Sequence, residues 1–189
     1  MCDLLIRNES ASNTASRTTM RLSNIVFLNC LAIVINGATL EELKEALHTR
    51  QKVWTTVRSY HVEPKGHEQK CIYFEARLTK HSYYIVDLHY EENNVWKSQR
   101  DYAKIFRSPR GPVMRIGPQI GKGSSDYILY LWVPEERCAV LLIIIAGKVE
   151  CEMHTWEDHV RRITYQCQRA YESRCGRRAY PIYSSRCSP

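Results

Sequence analysis

The chain has 189 residues, of which 44% are hydrophobic and 25% are charged. This is ordinary for a globular protein and provides one well-filled core, which argues against several domains. The formal net charge of +7 would suit heparin-like glycans, anionic cell surfaces or nucleic acid. Because the charge is spread out and its densest cluster, residues 174–180, lies among cysteines, we do not expect a nucleic acid partner.

Residues 20–38 have the pattern of a secretory signal. Arg21 gives a positive start, residues 25–35 are apolar, and Gly37 and Ala38 supply small residues for cleavage. The alternatives are a short buried helix or a membrane anchor, but the apolar part is shorter than the ~20 residues that span a bilayer. We predict a signal peptide at 20–38 and a secreted domain at 39–189. Residues 1–19 are predicted to be a disordered upstream extension, with a true N-terminal tail as the alternative.

Six cysteines follow the predicted signal. An even number of cysteines in a secreted chain predicts disulfides, here three, although spacing alone leaves many pairings open. A metal site is not expected, because closely spaced pairs of cysteine or histidine are missing. The six residues are Cys71, Cys138, Cys151, Cys167, Cys175 and Cys187.

The mature chain is predicted to open with a short helix. Thr39 to Glu42 match a capping box, and Leu40, Leu43 and Leu47 then recur at helical spacing. Next come β-branched and aromatic segments separated by turn-forming residues, which predict successive strands. These segments cover residues 53–62, 70–79, 82–92, 95–106, 112–117, 125–133, 137–146 and 149–154.

A second helix is predicted from about residue 156 to 175. Thr155 to Asp158 form another capping-box pattern, and Gly176 suits a C-cap. Eight antiparallel strands with hairpin-length links fit an up-and-down barrel better than a sandwich. The fold class is therefore mainly β: an eight-stranded barrel with a short N-terminal helix and a C-terminal helix packed on it. Such a barrel has room for one small ligand.

One segment departs from strand alternation. In "CAVLLIII", residues 138–145, apolar residues follow one another without interruption. A strand tolerates this when both of its faces are buried. We therefore predict that the inner face of this strand lines the barrel and that the C-terminal helix covers its outer face.

Together these segments resemble the tick salivary lipocalins, whose best-known members bind histamine. "YHVEP" at 60–64 is similar to the family's Tyr-x-x-acid-Pro stretch, and "DYILY" before "CAVLL" resembles the strand pair that ends in its cysteine motif. "CEMH" stands where the family writes Glu-Leu-Trp, often after a cysteine. The resemblance spans roughly residues 40–187.

The resemblance implies a ranking of the disulfides. It pairs Cys138 with Cys167, at a spacing similar to the family's strand-to-helix bridge, and Cys71 with Cys187. Cys151 and Cys175 remain as the third pair. A bridge from Cys71 to Cys175 is an open alternative.

The resemblance also implies ligand-binding residues. Tyr60 and Glu63 resemble an amine-contacting tyrosine and acid, Asp126 an acid at the start of a strand, and Glu152 the acid of the Glu-Leu-Trp core. Carboxylates of this kind would neutralise a buried ammonium group. Each of these acids could instead be solvated. Tyr130 and Trp132 are expected to share the strand face of Asp126. They would line a pocket or, alternatively, pack in the core.

Several positions depart from the family pattern. Met153 and His154 replace the core Leu and Trp, and Lys44 and His48 stand where histamine binders carry a hydroxyl and an acid. An acid expected in the fourth strand falls near residues 98–99, which are not acidic. These departures argue against two amine sites.

The expected function is sequestration of a small host mediator, most simply histamine or serotonin, by a secreted monomer that suppresses host inflammatory defence. The first alternative is a lipid or eicosanoid carrier, suggested by Lys44, His48 and Met153. The second is an immune or complement modulator that binds a host protein through residues 174–187. No membrane partner or cofactor is expected. An enzyme is not expected either, because nucleophile elbow, P-loop and metal motifs are missing.

Overall fold

The computed structural model describes residues 37–61 and 68–187. The predicted extension at 1–19, nearly all of the predicted signal at 20–38, and Glu63 lie outside the described residues. Within the described part of the chain, no helix is both long and apolar enough to cross a bilayer.

Helix α1 (Leu40–Leu47) begins at the predicted capping box. The Glu42 amide donates to the Thr39 hydroxyl at 3.2 Å, and the Thr39 amide donates to the Glu42 carboxylate at 2.6 Å. The helix packs against the sheet through Leu43, Ala46 and Leu47, which are buried. It therefore fills one end of the fold with apolar side chains.

Eight antiparallel strands form a closed barrel, as predicted. Each strand pairs with the next along the chain, and β1 closes the ring by pairing with both β8 and β2. The short strand β9 (Tyr180–Pro181) adds to β1 from outside the ring. The barrel strands are β1 Val53–Arg58, β2 Gln69–Leu78, β3 Tyr84–Glu92, β4 Val95–Ser108, β5 Gly111–Gly117, β6 Ser125–Val133, β7 Cys138–Ile145 and β8 Lys148–Trp156.

Strand β7 is buried on both faces, as its uninterrupted apolar sequence predicts. Ala139 and Leu141 belong to the cluster inside the barrel. Val140 and Leu142 belong to a second cluster on the outer wall, which includes Tyr171 of the C-terminal helix. Alternation of side chains along a strand explains this division.

The C-terminal helix, α2 (Tyr165–Cys175), is shorter than predicted. The prediction that it starts near residue 156 is wrong, because Thr155 and Trp156 belong to β8. The Trp156 ring is buried in the barrel, with its centroid 4.6 Å from that of Trp132. Burial of this large apolar side chain outweighs the local capping pattern. The predicted C-cap is confirmed at Gly176, whose φ of 72° suits glycine.

Three disulfides fasten the barrel to its C-terminal segments. They join Cys71 to Cys187, Cys138 to Cys167, and Cys151 to Cys175. These are the pairs that the resemblance ranked first. Two of them hold α2 on the outer wall, one at each end of the helix.

Candidate ligand-binding site

A cavity of about 240 Å³ lies inside the barrel, lined by residues of seven strands. Its apolar wall includes Phe74, Val86 and Leu88, and glycine and proline residues of the β5–β6 connection border it. Besides Tyr127, the lining of the cavity contains four charged or titratable side chains and one amide. These are Arg58, Gln99, Asp101, Glu152 and His154.

Glu152 points into the cavity and already has a cation. Strand register sets Arg58 directly opposite it, and Nε of Arg58 lies 2.9 Å from Oε1 of Glu152. Nε2 of His154 lies 2.8 Å from Oε2, and the Tyr60 hydroxyl donates to Oε1. Burial alone would raise the pKa of Glu152, but the Arg58 charge and these hydrogen bonds lower it to about 2. The carboxylate is therefore ionised and neutralised within the protein.

Two tyrosines border this charged group. Burial, with the charge of Glu152, raises the pKa of Tyr60 far above its usual range. The pKa of Tyr127 is raised as well, mainly by the charge of Glu152 and by burial. The charge of Asp101 adds to this increase. Both phenols are therefore neutral hydrogen-bond donors over the physiological pH range.

Asp101 is the second acid of the cavity, and sequence reasoning missed it. It lies on β4, is 6% exposed, and accepts a 2.7 Å hydrogen bond from Nε2 of Gln99. Among the described residues, no basic side chain forms an ion pair with it. Arg58 pairs with Glu152, so the carboxylate of Asp101 has no ion-pair partner among the described residues. A cation of suitable size would supply one.

The signal for Asp101 is present in the sequence but weak. Gln99, Asp101, Ala103 and Ile105 alternate along β4, and the last two pack in or against the core. This period predicts an inward Asp101. The resemblance directed attention to residues 98–99, two positions before Asp101.

Asp126 does not face this cavity. It is opposite Arg115 in the β5–β6 pairing, and the two side chains form hydrogen bonds of 2.6 and 2.7 Å on the outer wall. The Arg115 hydrogen bond lowers the pKa of Asp126, against a smaller effect of burial.

The prediction that Asp126, Tyr130 and Trp132 share a face is wrong. The register of β6 shifts between Leu129 and Leu131, which marks a bulge. As a result Trp132 packs inside the barrel, whereas Tyr130 lies outside beneath Arg174 of α2. A bulge moves every later side chain to the other face, and apolar alternation could not reveal it here.

The residues that suggested a lipid ligand also lie outside the cavity. Lys44 pairs with Glu41 on the exposed surface of α1, and His48 ends that helix. Met153 packs in the outer cluster beneath α2. Its neighbour His154 faces inward, with its ring 5.7 Å from that of Phe74.

Three side chains lie close enough together to hold a metal ion, but each of them is engaged in another interaction. The carboxylate of Glu136 lies near the sulfurs of Cys138 and Cys167, which are joined in a disulfide. Glu136 instead accepts hydrogen bonds from the first amides of α2, at 3.0 Å from Gln166. This caps a helix whose own N-cap, Thr164, makes no side-chain cap bond.

A closed eight-stranded antiparallel barrel with an internal cavity, a helix at one end and a second helix on its wall defines a lipocalin. A family model described as tick histamine binding protein matches residues 38–189. The chain belongs to this family of ligand-binding lipocalins. No curated protein sequence matches it.

Among solved structures, the chain is similar to japanin from Rhipicephalus appendiculatus bound to cholesterol. The TM-score is 0.53 and the identity is 14%, and the match covers 74% of this chain and 96% of japanin. At this identity the likeness supports the fold alone.

Proposed function

We propose that this protein is a secreted lipocalin that binds one small cationic amine, such as histamine or serotonin, inside its barrel. Asp101 is the observation that carries this proposal. It is a buried carboxylate that forms no ion pair with a described base, and an ammonium group would pair with it directly. The family to which the chain belongs is named for histamine binding.

The size of the cavity supports a small ligand. Its volume of about 240 Å³ is below the ~300–1,000 Å³ of pockets that hold drug-sized molecules. A biogenic amine is smaller than such molecules, whereas a sterol would require the barrel to expand. The Phe74 ring and the aliphatic side chains beside it would pack against the apolar part of the amine.

The charges of the cavity support one amine rather than two. Glu152 is held by Arg58, so a second ammonium group would have to displace a guanidinium group from a buried ion pair. Loss of one partner from such a pair is strongly destabilising. Among the described residues of the cavity, Asp101 is therefore the acid that remains for a ligand.

A lipid is the second candidate. Japanin is described as bound to cholesterol, and the wall of Phe74, Val86 and Leu88 is apolar. A lipid carboxylate would compete with Glu152 for Arg58. By removing a host mediator of either kind, a secreted protein would suppress host inflammatory defence.

The proposal is tested by isothermal titration of the purified protein with histamine, serotonin, a leukotriene and cholesterol. We expect binding of one equivalent of amine per chain and much weaker binding of the two lipids. Binding of a lipid alone would replace the amine proposal by the second candidate.

Expression in insect cells also tests secretion, since we expect the protein in the medium with its N-terminus at residue 39.

A further inference from the structure

The segment around α2 carries an excess of positive charge. Residues 161–178 contain six arginines and a single acid, Glu172, with no lysine or histidine. Four of these arginines are exposed side chains that take part in no ion pair with the described residues. We call them the arginine face: Arg162, Arg169, Arg174 and Arg177.

On the opposite wall of the barrel, some of the surface bases are paired with acids. Strands β3 and β4 lie across the ring from β7 and β8, on which α2 packs. There Arg100 pairs with Asp87 and Lys97 pairs with Glu92, whereas Lys104 and Arg107 form no ion pair with the described residues. On the α2 side, Arg178 reaches Glu150 only at 3.6 Å. The guanidinium groups of the arginine face are therefore available to an external anion.

The ordinary roles of helix arginines explain little of this surface. A base in the last turn favours the negative end of a helix, which accounts for Arg174. Arg174 also lies over the Tyr130 ring at 5.8 Å. Neither effect applies to Arg162, which precedes the helix, or to Arg169 in its middle. Packing against the barrel uses Cys167 and Tyr171 instead.

The arginine face is held on a rigid support. Disulfides fix α2 at Cys167 in its first turn and at Cys175 in its last turn. An 11-residue helix is about 16 Å long at ~1.5 Å per residue; it carries Arg169 and Arg174, and Arg162 and Arg177 flank it in the chain. A surface that is already ordered loses less entropy when it binds a partner.

We propose that the arginine face binds a sulfated glycosaminoglycan chain. Arginine presents a planar fork that matches sulfate and phosphate oxygens, and every base between residues 161 and 178 is an arginine. Three disulfides indicate an oxidising, extracellular environment, in which sulfated glycans are polyanions available to a secreted protein. Such binding would retain the lipocalin on a cell surface or matrix while its barrel stays open to a ligand.

The test uses heparin as the probe and the full chain produced in insect cells. We compare the triple variant R162Q/R169Q/R177Q with a control, K80Q/K104Q/R107Q, which removes the same charge from exposed positions elsewhere. The heparin dissociation constant is measured at several NaCl concentrations. Circular dichroism and thermal unfolding verify that both variants keep the wild-type fold.

We expect the arginine-face variant to lose at least about tenfold in heparin affinity at low salt, with the control close to wild type. The plot of log affinity against log salt has a negative slope. If each contact releases about 0.7–0.9 counterion, as on nucleic acids, the magnitude of this slope should decrease by roughly two in the arginine-face variant. Hyaluronan, which has carboxylates but no sulfate, should bind weakly. Equal losses in both variants, an absence of heparin binding, or tighter binding to RNA or anionic vesicles would overturn the proposal.

Discussion

At the scale of single residues, the cavity contains two acids in different electrostatic situations. Glu152 lies against Arg58, His154 and Tyr60, whereas the one side-chain partner of Asp101 in the described part of the chain is the amide of Gln99. A buried charge is tolerated when it is paired and is otherwise unfavourable. Glu152 therefore contributes to the stability of the folded barrel, and Asp101 is available for ligand recognition.

Removal of Arg58 should destabilise the protein through Glu152. We expect R58M to lower the free energy of unfolding by about 3–5 kcal/mol, because it leaves a buried carboxylate without its cation. The double variant R58M/E152Q should regain most of this loss. Urea denaturation at pH 7 under non-reducing conditions measures both. A double variant as unstable as R58M would mean that the pair is not coupled.

The low pKa of Glu152 predicts a dependence of stability on acid pH. Because folding lowers this pKa from 4.5 to about 2, its contribution is complete above pH 4.5 and is lost as the pH falls toward 2. The expected loss is about 3 kcal/mol. Urea denaturation at stepwise pH measures it.

Other carboxyl groups also have lowered pKa values and contribute to the dependence on acid pH; among them are Asp87 and Asp126, each hydrogen-bonded to an arginine. R58M/E152Q retains them and therefore serves as the control. The difference between the wild-type and double-variant curves isolates Glu152. Parallel curves would show that the pKa of Glu152 is not lowered by folding.

Sequence reasoning identified two residues of the cavity site. It singled out Tyr60 and Glu152, which the structure joins by a hydrogen bond. It did not indicate Arg58, because the β1–β8 register that brings Arg58 to Glu152 links residues far apart in the chain. The family resemblance suggested Asp126 as a ligand-binding acid, whereas its pairing with Arg115 places it on the outer wall.

At the scale of elements, strand β7 shows how local pattern and tertiary context combine. Its uninterrupted apolar sequence predicted burial on both faces, and the barrel interior and α2 supply the two environments. The start of α2 was predicted wrongly, because a capping pattern at Thr155 is local whereas the burial of Trp156 against Trp132 is not. Boundaries determined by long-range packing cannot be obtained from neighbouring residues alone.

Double burial of β7 predicts similar costs for truncation on either face. We expect L141A, which opens a hole inside the barrel, and L142A, which opens one beneath α2, each to cost about 2–5 kcal/mol. I144A in the same strand should cost about 0.5 kcal/mol or less, because Ile144 is 45% exposed. Chemical denaturation of the three variants tests this order. A small effect of L142A alone would show that α2 does not cover the strand.

At the scale of the whole molecule, the disulfides connect the barrel to its C-terminal helix and tail. The sequence predicted three bridges from the cysteine count, whereas the choice among pairings came from family resemblance. The barrel itself followed from strand lengths and turn residues. The bulge in β6 did not, since it depends on how this strand fits between its neighbours.

The bridges should differ in their effect on stability. Cys71–Cys187 spans 116 residues and Cys151–Cys175 spans 24, so the first restricts the unfolded chain more. We expect C71A/C187A to lose about 1 kcal/mol more than C151A/C175A in the loop-entropy description. Thermal and urea unfolding of both double variants measure this. The reverse order would indicate that native contacts around α2 dominate the stabilisation.

The central claim is that a small amine binds in the barrel with its ammonium group on Asp101. Titration of histamine and serotonin into wild type, D101N and D126N tests it most directly, because both substitutions remove one carboxylate charge but only the first lies in the cavity. We expect D101N to lose about 30-fold or more in affinity, which corresponds to ~2 kcal/mol, and D126N to bind like wild type. Unchanged binding by D101N, or no amine binding by the wild-type protein, would contradict this account.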